Sequence, residues 1–153
     1  MRNLFLIGTI LMFISCNSSI VFEKYKNFKD QTWNTDSVIN FDYIITDTIS
    51  KYKIDLHLRH SVDYEYQNLF LFITSEYSRD TIELLLADKS GKWFGNGVGD
   101  IREVQVLLKE SESFFTKGSK GIKIEQAMRY GPEEEITNLN FIDAIGIRIT
   151  KQQ

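Results

Sequence analysis

Alternation at a period of two leaves this sequence fewest options. Tyr52, Ile54, Leu56 and Leu58 alternate with Lys53, Asp55, His57 and Arg59. Successive side chains of an extended strand point to opposite sides, so this order makes a half-buried strand with one apolar and one charged face. The pattern recurs. Ile39, Phe41, Tyr43 and Ile45 alternate within Val38 to Ile45. Val104, Val106 and Leu108 do so after Ile101, Ile122, Ile124, Gln126 and Met128 after Lys120, and Ile145, Ile147 and Ile149 near the end. Leu69 to Tyr77 begins with apolar residues on both faces, which predicts a central strand, and Arg79 to Ala87 reads as its hairpin partner.

Turn chemistry separates these segments. Asp30 to Asp36 surrounds Trp33, which is expected to close one end of the core. His60 to Asn68 is a polar and aromatic loop, and Asp88 to Gly99 is rich in glycine. A short helix is predicted after Pro132, where proline suits a first turn and Glu133 to Glu135 suit its dipole. About seven strands with little helix make an all-β fold, a two-sheet antiparallel β-sandwich. Immunoglobulin-like and jelly-roll topologies both fit this spacing. Aromatic residues are frequent, with 11 Phe and 7 Tyr, which suits well-filled β cores. The 153 residues make one domain of ordinary size, and a net charge of −3 with no basic stripe argues against nucleic acid as a partner.

The N-terminus sets the compartment. Arg2 and Asn3 precede the apolar run Leu4 to Ile14, and Ser15 leads into Cys16, the sole cysteine. The run is about half of the ~20 residues a spanning helix needs and fits a secretory signal. Phe13-Ile14-Ser15-Cys16 resembles a bacterial lipobox, with Phe13 in place of the usual leucine. That predicts a signal peptide over 1–15, acylation with chains such as palmitate at Cys16, a lipidated tether over 16–29 with some extended character in Ile20 to Tyr25, and a sandwich over 30–153. Asn17 stands where an inner-membrane retention aspartate would be, and no acidic export cluster follows. The expected location is the periplasmic face of an outer membrane.

Val21, Tyr25 and Trp33, Leu58-Arg59, Asp63-Tyr64-Glu65-Tyr66 and Asn68-Leu69 form one series of landmarks. Asp80-Thr81, Glu83, Leu86-Ala87-Asp88 and Gly91-Lys92-Trp93 extend it, and Gly95-Asn96-Gly97-Val98-Gly99-Asp100-Ile101 is its most specific part. Ile124 to Arg129 and Ile142 to Arg148 complete it. With these, the chain resembles the gliding-motility lipoproteins of the GldH type found in Bacteroidota. Glu65 replaces a proline expected between the tyrosines. The resemblance implies a non-enzymatic accessory of the gliding and type IX secretion machinery, working beside other envelope lipoproteins.

Within that frame the contact surface is expected in the Arg59 to Asn68 and Asp88 to Ile101 loops, with Arg59, Asp63, Tyr64, Tyr66, Trp93 and Asp100 as partner-binding residues. The alternative function is a periplasmic carbohydrate-binding module, with Tyr64, Tyr66 and Asp63 as a sugar platform. Gly95, Gly97 and Gly99 lack the strand-before, helix-after setting of a phosphate cradle and read as a loop of close backbone approach, with Trp93 packed on it and Asp100 capping its amides. His57 and His60 point to opposite faces of one strand and do not make a metal site. Glu133 to Glu135 read as a solvated helix start, and Glu125 and Arg129 as structural ion-pair residues, paired with each other or with Arg148 and Asp143. No catalytic constellation and no cofactor site are expected. In the lineage implied by the resemblance, exported proteins carry sugars at Asp-Ser/Thr-aliphatic triplets, which nominates Ser37, Thr48 and Thr81 for O-glycosylation.

Overall fold

A computed structural model describes residues 19–132 and 135–152. The signal peptide, Cys16 and Glu133 to Glu134 lie outside the described residues. Ten strands follow one another: β1 (Ile20–Asn27), β2 (Thr32–Asn34), β3 (Ile39–Ile45), β4 (Tyr52–Ser61), β5 (Asn68–Thr74), β6 (Arg79–Leu85), β7 (Ile101–Glu112), β8 (Gly118–Gln126), β9 (Asn138–Asn140) and β10 (Ile142–Lys151). They form two four-stranded antiparallel sheets, β1-β10-β4-β7 and β3-β8-β5-β6, and the small β2-β9 pair.

The pairing decides between the two topologies left open. Setting aside β2 and β9, the eight long strands pair first with last, second with seventh, third with sixth and fourth with fifth, as β1·β10, β3·β8, β4·β7 and β5·β6. That is one long antiparallel ribbon rolled up on itself, closed by β10·β4 and β5·β8. The fold is a jelly roll.

The seven expected strands are all present. The eighth long one, β1, belongs to the stretch read as tether, so the folded body starts at Ile20 and not Asp30. Only Phe22 and Tyr25 of β1 are half-buried, which is why no alternation marked it. The helix expected after Pro132 is absent among the described residues. The Ile136 amide bonds the Met128 carbonyl at 2.9 Å, and Leu139 pairs with Trp33, so Asn138 to Asn140 are a short strand and not helix.

Core positions follow the alternation. Ile39, Phe41, Tyr43 and Ile45 of β3 point inward against Ile54, Leu56 and Leu58 of β4 and Ile145, Ile147 and Ile149 of β10. Each such side chain contributes roughly 1.5–3 kcal/mol by leaving water. Trp33 closes one end as expected, stacked on Phe28 at 4.8 Å, with its indole N–H donated to the Ser37 carbonyl.

The charged face of β4 departs from expectation. Asp55 and His57 are buried; β4 is an inner strand, and the Tyr25 ring of β1 lies against His57.

Candidate functional site

Strand register assembles a polar cluster on the outer face of the β1-β10-β4-β7 sheet. Tyr25, Gly146, His57 and Gln105 lie in one row across the strands, and Asn27, Ala144, Arg59 and Glu103 in the next. Gly146 has no side chain, so the Tyr25 ring lies flat over β10. A Cβ at Gly146 would come within 2.6 Å of that ring. From there Tyr25 meets His57 edge-on at 5.7 Å and carries the Arg59 guanidinium 4.4 Å above its face. Its hydroxyl donates to Glu103 at 3.3 Å.

Glu103 is the hub. It accepts from Arg59 Nε at 2.6 Å and from His57 Nδ1 at 2.9 Å. Burial acts to raise its pKa, but the bonds from Arg59 and His57 outweigh burial and hold the carboxyl below its ordinary value. The bond to Glu103 in turn raises Arg59. Burial, with help from Glu103, raises Tyr25. A carboxylate held ionised and committed to a guanidinium is a fixed recognition element.

The glycine-rich loop fastens onto the same residue. The Asn96 amide donates to the Glu103 carbonyl at 3.1 Å, and the Glu103 amide donates back at 2.7 Å. The loop can approach because a Cβ at Gly95 would strike the Glu103 carbonyl and one at Gly97 the Ile101 carbonyl. Gly95 also has φ +80°. Between loop and sheet runs an open groove. Arg59, Glu103 and Asp143 form its polar wall, and Leu85, Phe94 and Val98 its apolar rim. Val98 is 93% exposed.

The sequence places this groove in one family. Residues 20–149 match the model of the GldH lipoproteins. The chain belongs to that family. It is 35% identical to the gliding motility lipoprotein GldH of Flavobacterium johnsoniae, over 96% of this chain and 94% of that protein. It is 33% identical to the gliding motility lipoprotein GldH homolog of Christiangramia forsetii, over 95% of this chain and 92% of the relative. The landmark Gly95 to Ile101 supplies the loop side of the groove.

For this GldH-family chain, the residues nominated for partner contact separate into three groups. Arg59 stands in the hub and lines the groove. Asp63 and Asp100 are exposed at the same end, and the Val62 amide bonds the Asp100 carbonyl at 2.7 Å, joining the two loops. Among the described residues Asp100 offers the loop its carbonyl, not a capping carboxylate. Asp88 caps instead, accepting from the amides of Ser90 and Lys92. Tyr64 is a correction. It is 4% exposed and donates its hydroxyl to the Asn68 carbonyl, so it belongs to the core. Tyr66 is half-buried between Tyr64 and Tyr130, and the two rings of the imagined sugar platform meet each other edge-on at 5.5 Å. Trp93 is half-buried, its ring 4.8 Å from that of His60, so it pins the loop from beneath.

His57 and His60 do take opposite sides of β4, one against Glu103 and one against Trp93. Glu125 pairs with Arg79 and Lys123, each at 3.7 Å, in place of Arg129, and Arg148 pairs with Glu23 at 2.6 Å. Ser37 and Thr81 are exposed and Thr48 is half-buried.

Tyr25, His57 and Glu103 are site residues that sequence reasoning did not select. Parity on β4 already puts His57 and Arg59 on one face. Nothing local brings Glu103 to them, since it lies 44 residues from Arg59 and Tyr25 lies 78 residues from Glu103.

Proposed function

We propose that this protein is a gliding-motility lipoprotein, held by acyl chains on Cys16 at the periplasmic face of the outer membrane. It acts by protein–protein contact as a non-enzymatic accessory of the gliding and type IX secretion machinery, without a cofactor. Its partners are other envelope lipoproteins. Two acyl chains or more hold a protein stably at a bilayer, because each buried methylene adds about 0.8 kcal/mol. The observation that carries the contact reading is the groove beside Gly95 to Val98. It joins exposed apolar side chains to the prearranged charges of Arg59, Glu103 and Asp143. Apolar anchors rimmed by fixed polar groups are what a protein partner engages.

The test is made in living cells. A photo-crosslinking residue placed at Val98 should capture an envelope lipoprotein, and Val98→Asp should abolish capture and impair gliding while the purified variant melts as the parent does. Normal gliding and unchanged capture in Val98→Asp cells would overturn the assignment of this groove.

A further inference from the structure

Ile49 and Phe115 are 94% and 82% exposed, the former on the turn between β3 and β4 and the latter on the turn between β7 and β8. Both turns sit at one end of the sandwich, because Ile45 pairs with Gly118 and Tyr52 with Glu112. Lys51 Nζ donates to Ser113 Oγ and ties the turns together. The described chain enters at this same end. Ile20 pairs with Thr150, the Lys151 amide bonds the Ser19 carbonyl at 2.7 Å, and Lys151 pairs with Tyr52.

Four residue steps separate Cys16 from Ile20, a reach of about 14 Å at full extension. An anchor there cannot let this end stray far from the bilayer.

We infer that the end of the jelly roll carrying Ile49 and Phe115 rests on the membrane, with these two side chains inserted at the headgroup boundary. The inference rests on acylation at Cys16. Each inserted residue has a lysine two positions on, Lys51 and Lys117. Such side chains lay their stems on apolar surface and lift their charge to phosphates. Two nearby carboxylates are occupied internally: Asp47 by Lys151 at 2.6 Å and Glu76 by Lys120 at 2.6 Å. Glu110 and Glu112 also lie here, so insertion of the apolar tips, and not charge, drives the docking. The groove of Val98 then lies toward the end of the sandwich remote from the bilayer, opening on the outer face of the β1-β10-β4-β7 sheet. β7 has 12 residues and holds the groove some distance out, about 35 Å along the strand.

Acylation uses the sole thiol, so an introduced cysteine is the only site for a spin label. The acylated full chain is reconstituted in vesicles of phosphatidylethanolamine and phosphatidylglycerol, with labels at Ile49→Cys, Phe115→Cys or Val98→Cys. Labels at 49 and 115 should lose accessibility to a water-soluble nickel relaxant and gain accessibility to oxygen, relative to 98. Protein that floats with the vesicles but shows all three labels equally open to nickel would overturn the inference while leaving the anchor intact. Protein that fails to float would overturn the anchor, and the inference with it.

Discussion

On the outer face of the β3-β8-β5-β6 sheet, Asn40, Asp42 and Ile44 stand in solvent between inward-pointing neighbours. On the outer face of the other sheet, Asp55 and His57 alternate with apolar residues in the same way and are buried. The difference is not in the strands' own sequences. β3 is an edge strand, whereas β4 lies between β10 and β7. Gly146 leaves a gap on β10 through which Tyr25 reaches over the outer surface. An alternating segment therefore specifies two faces, and its neighbours decide which of them see water.

Two glycines offer the sharpest way to break that comparison. Gly146→Val should cost about 3 kcal/mol, because the new side chain displaces Tyr25 and with it the cover over His57. Gly121→Val on the other sheet should cost little, since an added Cβ meets only Asp42 Oδ1 at 3.4 Å. Chemical denaturation of both variants measures the gap; equal losses would show that the outer faces are alike. Next, Glu103→Ala should cost about 2 kcal/mol by leaving His57 and Arg59 without their acceptor. Glu125→Ala, whose partners stand 3.7 Å away, should stay within about 0.5 kcal/mol. The inner side of β4 gives a smaller effect, read through pH. Burial lowers the pKa of His60 from its ordinary 6.5, so on acidification the unfolded chain takes up the proton first. Stability should hold above 6.5 and fall as pH drops through that value, levelling once the folded-state pKa is passed. His60→Phe should lessen this slope in denaturation midpoints measured between pH 6.5 and the ordinary carboxyl value of 4.5.

Much of the fold was legible because it is written locally. The inward sets of β3, β4 and β10 are periodic, and the glycines of the 95–99 loop mark close approach without any knowledge of what they approach. β1 was legible only as extended chain over Ile20 to Tyr25 and not as a strand of the sandwich, since an edge strand with two half-buried side chains carries no period. Tyr64 misled because an aromatic in a polar loop looks like a surface anchor until its hydroxyl finds the Asn68 carbonyl. The hub was hidden for a different reason. Arg59 was selected alone, and the partners that give it meaning arrive through strand register from β1 and β7.

The rolled ribbon makes its first and last long strands neighbours, with β1 running antiparallel to β10 along nearly its whole length. A pull from a lipid beyond Ile20 against a load at the opposite tip acts parallel to these strands. The rungs between them then bear tension side by side, instead of being unfastened in turn like a zipper. Single-molecule extension between residues 20 and 98 should accordingly give one abrupt rupture, and gradual peeling of β1 would contradict it.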